Sequence, residues 1–124
     1  MTAPENGSTV ENWAACDGRT ALIGVRPRSD VDLALKYLTA RSEAPAQFAL
    51  GVAAAYRWAM GSAARAPLTG TAARHVPDLR LLTAEVDAAV VQLEDPTTEA
   101  GVRDFTRGVH DALAWVCGYS DSRI

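Results

Sequence analysis

Lysine is almost missing from this 124-residue chain: Lys36 stands alone against eleven arginines. Alongside so much alanine, that bias reflects coding composition rather than a basic function. The formal charge of −3 argues against nucleic acid or an anionic membrane as partner. Cysteine is scarce as well. Cys16 and Cys117 lie far apart with no CxxC between them, which predicts two free thiols in a reducing compartment. Histidine is limited to His75 and His110, and the residue three before His110 is Arg107, so the ExxH pairs of a ferritin-like dinuclear site are missing. The ExxE and ExxD pairs with which all-α nucleoside triphosphate pyrophosphatases hold magnesium are missing too. No P-loop, GxGxxG or GxSxG occurs, which removes phosphate-cradling and serine-elbow chemistry. Cys117 has only His110, two helical turns earlier, as a basic neighbour, and that spacing alone makes no nucleophile. No metal, cofactor or catalytic residue is expected.

Long hydrophobic runs are also lacking. The one extended apolar stretch, Ala46 to Ala64, is broken by Gln47 and Arg57 and consists mainly of Ala and Gly, so it reads as a buried helix rather than a membrane span. The opening MTAPENGSTVENW carries neither a basic stretch nor an apolar run, which predicts no secretory signal and a cytoplasmic protein. What the chain does have is 48% hydrophobic residues over a length that buries one core without staples, with Gly and Pro at candidate helix ends.

It also has a repeat. Residues 30–38, DVDLALKYL, match residues 85–93, EVDAAVVQL, at an offset of 55. Phe48, Gly51, Val52, Ala55, Trp58 and Gly61 then match Phe105, Gly108, Val109, Ala112, Trp115 and Gly118 at an offset of 57. Matching blocks in the same order predict a duplicated helical hairpin, hence an all-α four-helix bundle in one domain over 1–124. Its expected parts are a disordered stretch (1–7), an N-terminal covering segment (8–28), a first hairpin (29–64), a crossover connector (65–76), a second hairpin (77–118) and a tail (119–124).

Within that scheme Ser8 and Glu11 have capping-box spacing for a short helix presenting Val10 and Trp13, while the TALIGV run (20–25) cannot be assigned by periodicity. Ser29 is the expected cap of the first main helix, and Pro45 suits the first turn of the second, which is expected to reach Ala64. Pro77 restarts the chain. The third helix is expected to present Leu79, Leu82, Val86, Ala89, Val90 and Leu93 on one face, and Asp95-Pro96 or Thr98 opens the fourth, which Gly118 ends. Gly51 and Ala55, with Gly108 and Ala112, predict a close crossing of the second and fourth helices flanked by Trp58 and Trp115.

The best functional hint is where the copies disagree. The fourth helix carries Arg103, Asp104, Arg107, His110 and Asp111 on its outer face, whereas the second has Ala46, Gln47, Leu50, Ala53 and Ala54 at those places, with Met60 matching Cys117. A helix apolar nearly all round needs a cover. Either Trp13, Leu22, Ile23 and Val25 fold over it, or it forms a homodimer or another protein interface through Leu50, Ala53, Ala54, Arg57 and Met60. Two other readings stay open. Arg65, Arg74 and His75, around Thr69-Gly70-Thr71, form a candidate anion contact in a connector that lacks acids, which would make the chain an accessory nucleic-acid- or phosphate-binding protein despite its acidic total. Trp58 and Trp115 mark a candidate small-molecule pocket. The repeated acid pairs, Asp30 with Asp32 and Glu85 with Asp87, are poor metal clamps because residues two apart do not share a helix face. The favoured expectation is a non-enzymatic protein–protein interaction or regulatory module that self-associates.

Overall fold

Leu22–Ile23 (β1) and Arg26–Pro27 (β2) form a small antiparallel ribbon that feeds straight into the first of the four helices found among the described residues. The helices are α1 (Arg28–Ala40), α2 (Ala46–Ala59), α3 (Leu79–Glu94) and α4 (Ala100–Val116). This is the computed structural model of the chain, and it describes residues 21–40, 45–72 and 76–121. The molecule is thus mostly helical, with a two-stranded ribbon that periodicity left unassigned. No helix among the described residues is long and apolar enough to cross a membrane. The stretch 8–16, with Val10, Trp13 and Cys16, lies outside the described residues.

Local chemistry sets the helix ends. The ladder extends into α1 through the Arg28 amide, which donates to Ala21 O at 2.8 Å, so helix geometry begins at Arg28 and Ser29 lies inside the first turn instead of capping it. Asp78 caps α3, its carboxylate accepting from the Leu81 amide at 2.9 Å. Pro77, just outside, is buried. α2 stops at Ala59, five residues before the expected Ala64, because Gly61 adopts a left-handed φ of 82°. There the Met60, Gly61 and Ser62 amides donate to the carbonyls of Tyr56, Trp58 and Arg57. Fifty-seven residues later Cys117, Gly118 and Tyr119 donate to Leu113, Trp115 and Ala114, with Gly118 at φ 84°. The two exits are the same motif.

α4 begins at Ala100, later than either expected opening, because residues 95–98 form a bonded turn of their own. The Asp95 carboxylate accepts from the Thr97 amide at 2.9 Å and from its hydroxyl at 2.7 Å, while the Thr98 hydroxyl donates to Gln92 O. Those two bonds from Thr97, with Arg103 nearby, hold the Asp95 carboxyl below the usual aspartate range. Arg103 fastens the turn, donating to Leu93 O at 2.8 Å and Asp95 O at 2.9 Å.

α2 and α4 form the central pair, with α1 packed on α2 and α3 on α4. Gly51 lies against the Phe105 backbone and Gly108 against the Phe48 backbone, so a Cβ at either glycine would collide with the facing carbonyl. Tyr56 meets Trp115 edge to face with ring centroids 6.1 Å apart. The two helices therefore run in the same direction and end at the same end of the molecule. There the ribbon is seated. Val25 N–H donates to Val116 O at 3.0 Å, Arg26 Nε to Trp115 O at 2.7 Å, and Arg28 Nη1 to Met60 O at 3.2 Å. Ile23 is fully buried, worth about 1.5–3 kcal/mol, which anchors the ribbon.

The ribbon does not provide the cover expected for the back of α2. Leu22 and Val25 are 61% and 46% exposed, and only Ile23 turns inward, because the ribbon is committed to the C-terminal end of α4. On α3, Leu82, Val86 and Ala89 enter the core, whereas Leu79 and Val90 stay exposed at the edge of the apolar stripe.

Candidate functional site

The five residues singled out on α2 do not form one surface. Ala53 and Met60 are each only 7% exposed and belong to the core, Ala54 is half-buried, and Leu50 and Arg57 are exposed. Met60 is buried because it closes α2 directly under the ribbon, its carbonyl held by Arg28. Leu50 is the large apolar side chain of this set that faces water, at 54% exposure. On α1, Leu33 and Tyr37 are 43% and 49% exposed, and their spacing of four residues makes them neighbours on the helix surface.

The matching surface of the second pair is different. Leu33 corresponds to Ala88, Tyr37 to Gln92, Leu50 to Arg107 and Ala54 to Asp111. Gln92 is bonded inward, its side-chain oxygen accepting from the Thr106 hydroxyl at 2.8 Å. The outer face of α4 is also less solvated than expected: Arg103, Asp104, His110 and Asp111 are half-buried and Arg107 alone is exposed. Arg103 is drawn in by the carbonyls it caps, and His110 by its neighbour Asp111, with Nδ1 3.0 Å from the carboxylate oxygen.

The connector does hold an anion, and the anion is the chain's own. Glu85, at 1% exposure, accepts from the Leu68 amide at 2.5 Å, the Thr69 amide at 3.2 Å and the Thr69 hydroxyl at 2.8 Å. The Thr69-Gly70-Thr71 turn is therefore occupied from within the fold. Arg65 serves that loop too, donating to Gly70 O at 3.1 Å, while Arg74 and His75 lie outside the described residues. Glu85, read from the sequence as half of an acid pair, is thus a loop anchor. Its partner Asp87 is exposed on another face of α3.

The tryptophans mark core, not a cavity. Trp58 is 1% exposed and Trp115 5%, with the Arg26 guanidinium stacked 4.9 Å above the Trp115 ring. A shallow cleft of about 380 Å³ opens at the opposite end, between the first turns of α2 and α4, lined by Gln47, Glu99, Gly101, Val102 and Phe105. Neither helix start beside the cleft is capped by the side chain of its N-cap residue, Pro45 or Glu99. Glu99 in its wall opposes an anionic guest.

Chemistry finds little to work with. Among the described residues no three His, Cys, Asp or Glu side chains gather around a metal-sized space. Burial pushes the Cys117 thiol up to about 11, and His110 is engaged by Asp111 two turns away. The functional-looking residues that sequence reasoning missed are structural anchors: Arg26, Arg28 and Arg103 each reach a helix C-terminal carbonyl, where a cation meets the negative end of the dipole. No family model, no curated protein and no solved structure matches this chain.

Proposed function

We propose that this chain is a non-catalytic interaction module, a duplicated helical hairpin that self-associates through the outer side of its first helix pair. The observation that carries the reading is Leu50, 54% exposed on α2 where the equivalent place on α4 is Arg107. Leu33 and Tyr37 extend the contrast onto α1. Val91 is more exposed still, at 68%, but it stands between Asp87 and Glu94, four and three residues away on α3, and belongs to a charged surface. An isologous contact between two copies pairs one such apolar side with itself, which is the commonest way for a small soluble protein to bury it. Cys117 takes no chemical part in this role, because a thiol held at about 11 is protonated at neutral pH.

Sedimentation velocity across a concentration series tests it. A dimer is expected for the native chain, a monomer for Leu50→Glu with unchanged helical signal, and a dimer again for Arg107→Glu on the matching face. A native chain that stays monomeric throughout the micromolar range, or a Leu50→Glu variant that still dimerises, refutes the proposal.

A further inference from the structure

The loop 65–72 is bonded mainly to itself. Ala66 N–H donates to Thr71 O at 3.0 Å, Gly70 N–H to Ala66 O at 3.1 Å, and Arg65 bridges to Ala72 in a short antiparallel contact. The Thr71 amide donates to Thr69 Oγ1 at 3.2 Å. The Thr69 and Thr71 hydroxyls are 2.7 Å apart, and since Thr69 gives its proton to Glu85, Thr71 is the donor of that pair. Gly70, at φ 73°, makes the tight reversal with open space where a side chain would be.

Its attachment to the helices is quite different. Among the described residues, every hydrogen bond from this loop to a helix ends on one carboxylate, that of Glu85 on α3. The remaining hold is apolar: Ala66 is buried in the core cluster and Leu68 is half-buried against it. A unit with internal bonds and one polar attachment point moves as a body, because breaking that attachment costs it none of its own bonds. The three bonds are charge-assisted, and lifting the loop returns the two amides, the hydroxyl and the carboxylate to water together, so the net cost of opening is much smaller than their strength in the closed state.

We infer that residues 65–72 form a strap latched to α3 by Glu85, which opens as a unit while the central helices stay folded. Closed, the strap buries Glu85 and fills its own ring of donors with that carboxylate. Open, it uncovers an acidic side chain and two backbone amides that converge on one point. The device is independent of self-association, since neither Leu33, Tyr37 nor Leu50 contributes to it.

Amide hydrogen exchange by NMR on the full chain tests the strap. In the native protein the Leu68 and Thr69 amides are expected to exchange through an opening of lower free energy than global unfolding measured in urea, with Val109 and Ala112 of α4 exchanging only through the global route. In Glu85→Gln the same two amides are expected to exchange about ten- to a hundredfold faster, relative to Val109 and Ala112. Native Leu68 and Thr69 amides that exchange only with the core overturn the inference, as does a Glu85→Gln protein in which they keep their protection. The native measurement decides the matter even where the variant fails to fold, and Thr69→Val, which removes one bond of the three, provides a milder version of the same change.

Discussion

Gly51 of α2 rests on the carbonyl of Phe105 in α4, closer than any residue with a side chain could approach. Gly108 meets the Phe48 carbonyl in the mirror of that contact. The crossing of the two central helices is therefore backbone on backbone. Gly51→Ala and Gly108→Ala are each expected to destabilise the fold by about 1–3 kcal/mol or more, since the obstacle is main chain and no rotamer change relieves it. The double variant should cost less than the sum, because the first Cβ already separates the helices and makes room for the second. Gly101→Ala, whose Cβ would stand 3.9 Å from Gln47 Cγ, is the control and should cost nothing. Urea denaturation of the four proteins is the measurement, and an additive pair of losses would rule out a shared contact.

That crossing was legible in the sequence because it repeats: Phe, Gly and Ala at helical spacing, twice, identify a face and its small residues at once. The exit of α2 was legible only in part. Gly61 matches Gly118, and treating both as left-handed stops places the end at Ala59; the Ala-rich stretch that follows hid it, since alanine carries no signal against helix. The Glu85 latch was out of reach. It joins a helix to an irregular loop 16 residues earlier, and neither partner's residue type requires the other. Arg26 was equally silent, as its carbonyl partners lie 89 and 94 residues away. The five-residue face on α2 divides for a related reason: a helical wheel shows which residues share a side, but not that Ala53 and Met60 on that side belong to the core while Leu50 and Arg57 face water.

Arg26 fastens the ribbon to the C-terminal end of α4. Its guanidinium donates to Trp115 O at 2.7 Å and Ser120 O at 2.8 Å while lying 4.9 Å from the Trp115 ring centroid. A planar fork makes all three interactions at once, and an ammonium does not. The Asp121 carboxylate, 3.9 Å away and fully solvated, adds little. Arg26→Lys is thus expected to lose about 1–3 kcal/mol despite keeping the charge, nearly as much as Arg26→Ala. Asp121→Asn should be neutral. Thermal melts of the three variants separate the possibilities: if Arg26→Lys matches the native protein, charge alone holds the C-terminus of α4.

Cys117 closes α4 at the point where Cys117 N–H donates to Leu113 O, and burial pushes its thiol up from the ordinary 9.0 to about 11. At neutral pH that leaves about a hundredfold less thiolate than an ordinary cysteine, and thiolate is the species that alkylates. Iodoacetamide should therefore leave the Cys117 peptide unlabelled in the folded protein and label it readily in urea, as read by peptide mass. The same shift has a consequence for stability, with a definite sign. A thiol whose folded value is raised contributes stability that is intact below the unfolded value near 9 and is lost as pH climbs through the folded value, because only the unfolded chain ionises over that interval. Urea midpoints should fall between about pH 9 and 11 in the native protein and fall less in Cys117→Ala, whose core has lost the titrating group. Rapid native labelling, or identical alkaline curves for the two proteins, would show that the thiol is reached by water and that this end of the α2–α4 pair is open.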